Sequence, residues 1–253
     1  MLLVVTIIRW MNDNEPLTKL ELILLDAAKT ALQWSGRRSE LILDEKSVGQ
    51  FASNADVEVE NQINRDLSRA FGDVQVVGEE TGGRLSADQS GWAIDPIDGT
   101  SNFLLGLPLW AISVGYLVKG RSTLGAIALP ELSLILSAAD GQGLRVNRLP
   151  VRDNTRTSSV KVIALGENDY ESGSQTDLRA DALRQNGYAV VRYRCAVFSL
   201  ASAALGRLSG YIENGCGLWD VAAAEVICRE AGMSVQTSNI ANGRYYIDAQ
   251  WPD

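Results

Sequence analysis

The sequence predicts an α+β protein organised as two layered units. Apolar residues recur at helical spacing near the beginning of the chain, over residues 17–34 and again over 57–71. Three β-rich runs follow between residues 109 and 140 with short turns between them, which favours an antiparallel meander. After residue 160 strand and helix patterns alternate, and this alternation is typical of a separately layered unit.

The composition indicates a folded, acidic protein. With 253 residues, 46% of them hydrophobic, the chain can bury a sizeable core as one large domain or two small ones. Its net charge of −8 argues against binding nucleic acid through a basic face, and the lack of histidine excludes imidazole as a base or metal ligand. An acidic site repels a phosphate unless cations fill it first. Hard divalent ions with oxygen ligands, Mg²⁺ first, are therefore the expected partners of any phosphate chemistry here.

The cysteines and the first ten residues indicate in which cellular compartment the protein is expected. Cys195, Cys216 and Cys228 are odd in number and lack Cys-x-x-Cys spacing, so we expect neither a zinc site nor disulfides, and a reducing cytoplasm fits best. The apolar run at the start is too short to span a bilayer and lacks the flanks of a signal peptide, so we expect no membrane association. Residues 1–10 are interpreted as an apolar extension, either a start-site artefact or a packing strand.

In the first half of the chain, acidic residues stand at the ends of predicted elements. The helix over 17–34 is interpreted as a packing element. Asp56 stands in the first turn of the second helix, where a carboxylate ordinarily acts as a cap. A β-branched strand at 74–77 ends just before Glu79 and Glu80. On charge alone these two glutamates would form a solvated loop, but strand ends are also where such folds present ligands.

The segment 91–103 indicates the chemistry of the chain most directly. Its apolar run at 92–94 predicts a buried strand that ends at Asp95, and Asp98 follows three residues later. Pro96 lies between the two carboxylates and fixes φ, so the backbone sets their relative aim. Such a rigid pair suits a metal site, although a lone Asp-x-x-Asp-Gly is more often only a turn.

The residues after this pair suit a phosphate. Gly99 permits a tight turn and a close approach to its backbone. Thr100, Ser101 and Asn102 then offer hydroxyl and amide groups where a short helix would open, and a helix start attracts anions.

The remaining elements complete the two units. The polar, turn-rich stretch 141–157 is predicted to be the seam between them. Asp220 stands in the first turn of the last helix, where it would ordinarily be a cap. The first sheet is completed by runs at 110–118, 122–129 and 134–139; the second half has predicted strands at 160–165, 188–193 and 210–213 and predicted helices at 176–186, 199–208 and 219–230.

Three motifs carry a resemblance to a known family. The string Asp-Pro-Ile-Asp-Gly-Thr at 95–100 resembles a signature of the inositol monophosphatase family, and Gly-Glu-Glu at 78–80 is similar to a second one. The run 219–224 is similar to the family's Trp-Asp-x-Ala segment, with a Glu-Ala-Gly string at 230–232. The matches stand in the family's order and cover about 56–232, so the chain is identified as a member. The resemblance implies a layered α/β/α/β/α sandwich, like that of inositol monophosphatase and fructose-1,6-bisphosphatase, in a homodimer.

The resemblance also implies a set of metal ligands and catalytic groups. Two or three Mg²⁺ ions are expected on four carboxylates and one backbone carbonyl, which are those of Glu79, Asp95, Asp98, Asp220 and Ile97. Water near Glu79 would be the nucleophile, with its proton drawn off through Thr100 and Asp56 or Glu79. At Asp56 the sequence departs from the family, because Ala52-Ser53 stands where Val-Thr is usual.

The substrate pocket is implied less completely. The residues expected to contact substrate are Asp98, Gly99, Thr100, Arg194, Ala196, Glu213 and Asp220. Arg194-Cys195 stands where the family has a Gly-Ser or Gly-Thr pair, so Arg194 either binds a polar group of the substrate or points outward. Glu213 matches a glutamate that contacts polyol hydroxyls in the family.

These implications define the expected function and domains. We expect a phosphoric monoester hydrolase, inhibited by Li⁺, that acts on a small sugar or polyol phosphate such as inositol monophosphate or a pentose or hexose phosphate. Histidinol phosphate, fructose bisphosphate and adenosine 3′,5′-bisphosphate stay open as substrates, as does a non-catalytic metal- or phosphate-binding regulator. An N-terminal α+β subdomain at 11–143 would hold most metal ligands, and a C-terminal α/β subdomain at 144–253 would add Asp220 and the substrate pocket.

Overall fold

The computed structural model describes residues 15–47, 50–73, 75–152, 159–241 and 243–252. The predicted apolar extension at 1–10 lies outside these residues. The helices are α1 (Glu15–Ser35), α2 (Asn54–Phe71), α3 (Thr100–Leu105), α4 (Gly173–Gln185), α5 (Ala196–Ala204) and α6 (Leu218–Glu230), with 3₁₀ turns at Arg38–Glu40 and Pro130–Leu132. The strands are β1 (Leu43–Ser47), β2 (Gln50–Ser53), β3 (Val76–Gly78), β4 (Gly91–Asp98), β5 (Ala111–Val118), β6 (Arg121–Leu129), β7 (Leu134–Ala139), β8 (Leu144–Val146), β9 (Leu149–Pro150), β10 (Val162–Leu165), β11 (Ala189–Val191), β12 (Gly210–Cys216), β13 (Ser234–Ala241) and β14 (Arg244–Gln250).

The strands form two main sheets and a hairpin. The seven-stranded sheet has the order β3-β4-β5-β6-β7-β8-β9, and its pairs are antiparallel except for β3 with β4. The five-stranded sheet has the order β11-β10-β12-β14-β13, with parallel pairs on the β11 side and antiparallel pairs on the β13 side. The hairpin of β1 and β2 lies beside α2 and α3.

The layers follow the predicted α/β/α/β/α order. Helices α1 and α2 cover one face of the seven-stranded sheet, and α5 and α6 fill the space between the two sheets. Helix α4 packs against strands of the five-stranded sheet in a small separate cluster. The predicted layered sandwich is therefore confirmed.

The outer helices bury one stripe of apolar side chains. Leu20, Leu24, Ala27 and Ala31 of α1 recur at helical spacing, are fully buried, and pack on the sheet with the matching stripe of α2. Burial of each large apolar side chain stabilises the fold by roughly 1.5–3 kcal/mol. Helix α1 is a packing element, as the sequence predicts.

The middle layer is held unusually close to the seven-stranded sheet. Helix α5 is buried on every side, as expected of a helix with apolar residues all round. Under α6 the sheet carries glycines, and a Cβ at Gly115 or Gly125 would lie 2.5 Å from the Ala223 nitrogen or 2.7 Å from its Cα. Because these strands lack side chains there, α6 lies directly on the sheet and its first turn comes next to the end of β4.

The end of β4 and the start of α5 differ from prediction. Strand β4 does not end at Asp95 but continues to Asp98, and its register shifts by one residue against β5 between them. Pro96 lies inside this bulge, where a residue without an N–H disturbs the ladder least. Helix α5 begins at Ala196 rather than 199, because the Cys195 Sγ accepts the Phe198 N–H at 3.3 Å and caps the helix.

Further strands lie where the sequence analysis predicts none. Strands β8 and β9 extend the seven-stranded sheet to Pro150, beyond the boundary predicted at residue 143 and into the predicted seam. The hairpin of β13 and β14 completes the five-stranded sheet. Within the described ranges, no helix is both long and apolar enough to cross a membrane.

Candidate active site

A cavity of about 740 Å³ opens where the end of β4, the start of α6 and the end of β12 meet. Both sheets and the middle layer contribute to its wall, so residues far apart in sequence converge on it. Of the predicted site residues it is lined by Glu79, Asp95, Ile97, Asp98, Gly99, Thr100, Arg194, Glu213 and Asp220.

Three carboxylates form the centre of the cavity. One oxygen each of Asp95, Asp98 and Asp220 lies within 4.8 Å of the others. Asp95 is 1% exposed, and its Oδ1 is buried without a hydrogen-bond partner in the described part of the chain. Burial raises the pKa of Asp95 well above its ordinary value, and the nearby Glu79, Asp98 and Asp220 raise it further. Without a counter-charge, these carboxylates repel one another.

The donor set fits a hard divalent cation. All of its atoms are oxygens, the deepest carboxylate has an unpartnered oxygen, and the clustered negative charge requires neutralisation. Zinc normally selects nitrogen and sulfur ligands, and the chain has no histidine, so Mg²⁺ suits this chemistry better.

Asp98 is oriented by the start of α5. Its Oδ2 accepts the Val197 N–H at 2.5 Å and the Cys195 thiol at 3.0 Å. Burial raises the pKa of Asp98 to about 7, although these two hydrogen bonds act in the opposite direction. Gly99, at φ 82°, packs so closely that a Cβ would lie 2.9 Å from that of Cys195. A glycine is therefore required here by both space and backbone conformation.

Asp220 is oriented by its own helix. Its Oδ2 accepts the Gly217 N–H at 2.7 Å across the first turn of α6, so it is also the predicted helix cap. The Ser113 hydroxyl on β5 donates to the Trp219 carbonyl at 3.0 Å and ties this turn to the sheet. Burial raises the pKa of Asp220 well above its ordinary value, and Asp98 is the strongest of the neighbouring charges that add to it.

Asp56 caps a helix with one carboxylate oxygen and buries the other. It caps α2, because its Oδ2 accepts the Ser53 N–H at 2.8 Å and the Ser53 hydroxyl at 2.6 Å. Its Oδ1 is buried with no partner among the described residues. Burial raises the pKa of Asp56 to about 7, the Ser53 hydroxyl lowers it, and the charges of Glu80 and Glu79 raise it. Asp56 thus lies close to the Glu79 turn.

A hydrogen bond joins the side chain of Thr100 to the backbone of Ile97. The Thr100 hydroxyl donates to the Ile97 carbonyl at 3.1 Å, so the carbonyl that the resemblance assigns to a metal also anchors the first turn of α3. A carbonyl oxygen has two lone pairs and can accept a second interaction. Gly99 and Thr100 both line the cavity.

The substrate side is formed mainly by the five-stranded sheet and its loops. Glu213 on β12 is buried, and its carboxylate accepts from the Tyr211 hydroxyl at 2.5 Å, the Asn168 amide at 2.8 Å and the Cys216 thiol at 3.2 Å. Arg194 is exposed, with φ 53°, in the loop before α5. Arg194, Ala196 and Glu213 line an adjoining pocket of about 110 Å³.

Several residues of the site were missed from sequence. Glu60 contacts the backbone of the Glu79 turn. It stands four residues after Asp56, so both side chains lie on one face of the helix, and this spacing could have indicated that Glu60 also faces the site. Asn168 and Tyr211 hold Glu213, and no sequence pattern indicated this. Arg84 lines the cavity from a loop that composition alone describes only as polar.

Comparisons with known proteins identify the family of the chain. The sequence model of the inositol monophosphatase family matches residues 13–250. The chain is 34% identical over 198 residues to the fructose-1,6-bisphosphatase/inositol-1-monophosphatase of Aquifex aeolicus, covering 75% of this chain and 73% of that one. It is 32% identical over 200 residues to Nus factor SuhB of Pasteurella multocida, covering 78% and 75%.

A solved structure shows the same fold. The crystal structure of extragenic suppressor protein suhB from Bartonella henselae aligns with a TM-score of 0.80 at 26% identity, covering 92% of this chain and 93% of that one. The chain therefore belongs to the inositol monophosphatase family, and it is a phosphoric monoester hydrolase of that family.

Proposed function

We propose that this protein is a Mg²⁺-dependent phosphatase that hydrolyses a small sugar or polyol phosphate monoester. The observation that carries the proposal is the cluster of Asp95, Asp98 and Asp220, whose oxygens lie within 4.8 Å and include one buried, unpartnered atom in the described chain. Glu79 and Ile97 line the same cavity, and the Glu79 carboxylate and the Ile97 carbonyl would complete the proposed ligand set for two or three ions. When bound, Mg²⁺ supplies positive charge that stabilises the attacking and leaving oxygens of the phosphoryl group.

The side chains around the cluster have separate proposed tasks. Glu79 and Asp56 stand near one another, and in the proposed scheme one of them takes up the proton of the attacking water. The Thr100 hydroxyl would pass this proton on, and the Gly99 and Thr100 N–H groups would hold the phosphate. No covalent phosphoenzyme is part of this scheme.

Glu213 supports a hydroxyl-bearing substrate. Glu213 lines the cavity, and its carboxylate would accept a further hydrogen bond from a neutral hydroxyl of the substrate and would repel a second phosphate. Asp98 and Asp220 would contact the ester side of the same substrate, and Ala196 would leave space beside it in the adjoining pocket. These features favour inositol monophosphate or a pentose or hexose monophosphate.

A sugar bisphosphate is the second candidate substrate. Arg84 and Arg194 bring positive charge to the wall of a cavity of about 740 Å³, and both side chains are exposed. A second phosphate or a carboxylate would pair with such groups. The Aquifex aeolicus relative carries both phosphatase names, so this candidate belongs in the same substrate panel.

Other properties are proposed from the resemblance alone. They are inhibition by Li⁺ at one Mg²⁺ position, a homodimer, and a cytoplasmic location. The Pasteurella multocida relative is named a Nus factor, and a non-catalytic role in an assembly is the alternative from a different class. Turnover of any phosphomonoester separates the enzyme from that alternative.

The test is phosphate release from a panel of monoesters and bisphosphates in chelator-treated protein, with and without added Mg²⁺. We expect negligible release after chelation and recovery on addition of Mg²⁺, because the clustered carboxylates repel the phosphate until a cation neutralises them. Inositol and hexose monophosphates are expected to give the highest kcat/KM. Undiminished turnover in the presence of chelator would contradict the mechanism.

A further inference from the structure

Glu60 is a buried acid that faces backbone rather than substrate. It lies on α2, one helical turn after Asp56, and its side chain is fully buried. Its Oε2 accepts the Glu80 N–H at 3.0 Å, and its Oε1 accepts the Thr81 N–H at 2.9 Å. Both oxygens of one carboxylate are therefore used to hold two successive residues of the turn that follows β3.

This turn is closed by hydrogen bonds at every residue. Gly78 and Gly82 exchange two backbone bonds, both of 3.0 Å, and the Glu79 N–H donates to the Ile94 carbonyl on β4 at 3.1 Å. The two N–H groups between these bonds are the ones that Glu60 accepts. Together with these backbone bonds, the Glu60 carboxylate holds the turn that contains Glu79 against β4, the strand that contains Asp95.

Gly78 makes the space for this contact. A Cβ built on Gly78 would lie 2.3 Å from the Glu60 Oε1 and 2.7 Å from its Oε2. The described glycines with positive φ do not include Gly78, so an alanine would meet no backbone strain there. The glycine is required because the carboxylate occupies the volume that a side chain would need.

We propose that Glu60 is a positioning residue for Glu79. We further propose that Gly78 is required only because the Glu60 carboxylate occupies the space that a side chain at position 78 would need. The proposal rests on the proposed function, in which Glu79 binds a divalent cation. Glu60 acts through the backbone of the turn and touches neither substrate nor the reacting atoms. Helix α2 therefore supplies two supports one turn apart, Asp56 beside the carboxylates and Glu60 beneath the turn.

The first test is Glu60→Asp, which keeps the charge but shortens the side chain by one methylene. We expect the Kd for Mn²⁺, measured by calorimetry on the chelator-treated protein without substrate, to rise about tenfold, as for other groups that orient metal ligands. The value of kcat is expected to fall with it. Loss of charge cannot account for these effects, because the charge is kept.

A matched control is available on another turn. Glu230 accepts the Gly141 N–H at 2.9 Å and the Gly143 N–H at 2.8 Å, so it holds a turn with the same kind of paired contact. Glu230→Asp is expected to lower the melting temperature without changing the Kd for Mn²⁺. The comparison separates loss of a turn contact from loss of metal-site geometry.

The second test is a double-mutant cycle between Glu60→Ala and Gly78→Ala. Gly78→Ala alone is expected to weaken Mn²⁺ binding and lower the melting temperature, because its Cβ displaces the carboxylate. In the Glu60→Ala background the same substitution is expected to have little further effect, because the space is then vacant. Such non-additivity is the signature of two residues in contact.

The outcomes distinguish this inference from the proposed function. If the wild-type protein shows metal-dependent turnover while Glu60→Asp binds Mn²⁺ and turns over substrate like wild type, the positioning role is wrong. Additive effects in the cycle would overturn the role of Gly78. If the wild-type protein neither binds a divalent cation nor depends on one, the proposed function fails and this inference fails with it.

Discussion

Asp95 and Arg194 line the same cavity but are held in opposite ways. Asp95 is 1% exposed, lies in a strand bulge, and belongs to a group of carboxylates fixed by backbone contacts. Arg194 is exposed and stands in a loop at positive φ. Asp95 is therefore held by packing in the core, whereas Arg194 stands at an exposed position in the cavity wall.

Under the proposed function, this difference separates the residues that act in chemistry from those that select the substrate. The carboxylates require burial and fixed orientation, because a low-dielectric site strengthens their interaction with a cation and with the charge that develops on the phosphoryl group. Residues that recognise the rest of the substrate require contact with it but not burial. We expect substitutions in the first group of residues to reduce turnover strongly and substitutions in the second to redistribute it among substrates.

The largest expected effect is that of Asp95→Asn. Loss of this charge from the centre of the cluster is expected to reduce kcat by at least ~10³, since a single electrostatic contribution of this kind amounts to several kcal/mol. Glu80→Gln is the matched control, because Glu80 lies in the neighbouring turn outside the proposed ligand set. The measurement is steady-state kinetics at saturating Mg²⁺. Equal losses in the two variants would mean that the ligands are misassigned.

A smaller effect is expected of Glu213→Ala on the substrate side. The kcat/KM advantage of polyol monophosphates over bisphosphates is expected to narrow by about tenfold, because a site that pairs with a hydroxyl discriminates against analogues that leave its polar group unpaired. Glu213→Gln keeps the size of the side chain and separates loss of charge from the loss of the contacts with Tyr211 and Asn168. A wild-type preference for adenosine 3′,5′-bisphosphate would contradict the assignment.

The smallest effect is one of pH on the stability of the metal-free protein. The pKa of Asp56 and that of Asp98 are each raised from 3.8 to about 7 in the folded state. As the pH rises through this window the unfolded chain loses these protons first, so these groups reduce stability as the pH rises. We expect the chelated protein to melt a few degrees lower at about pH 8 than at about pH 5.5, by thermal scanning.

Added Mg²⁺ provides the control for this measurement. A cation bound to ionised carboxylates is expected to raise the melting temperature more at the higher pH, because binding requires deprotonated ligands. Asp95→Asn should reduce both the pH dependence and the effect of Mg²⁺. An effect of Mg²⁺ that is equal at both pH values would argue that these carboxyls are already ionised in the metal-free protein.

The sequence predicted the carboxylate side better than the substrate side. Local periodicity predicts the helices near 17–34 and 57–71 and the strands of the meander. Asp95 and Asp98 come together because they are close in the chain. The contact of Asp220 with them was implied by the resemblance and is produced by the packing of α6 on a glycine-lined sheet. Local sequence contains no information about such an approach.

The limits of the prediction have physical causes. The bulge in β4 was predicted as the end of a strand, because the apolar alternation stops at Asp95 whereas the hydrogen bonding to β5 continues to Asp98. The short strands β8 and β9 have too few residues to show a period, and they form because β7 offers them an edge. Both features depend on hydrogen bonding to a neighbouring strand, which the sequence of one element does not reveal.

The sequence by itself determined the family, the outer helices, and which carboxylates are available for a cation, because motif spacing and apolar periodicity are local properties. Only the tertiary structure decided which partners hold those carboxylates. Asp98 is held by the start of α5, 99 residues further along the chain, and the Glu79 turn is held by Glu60 from 20 residues before. Such contacts form when separate layers pack, and the free energy that selects them comes from the whole core rather than from the residues in contact.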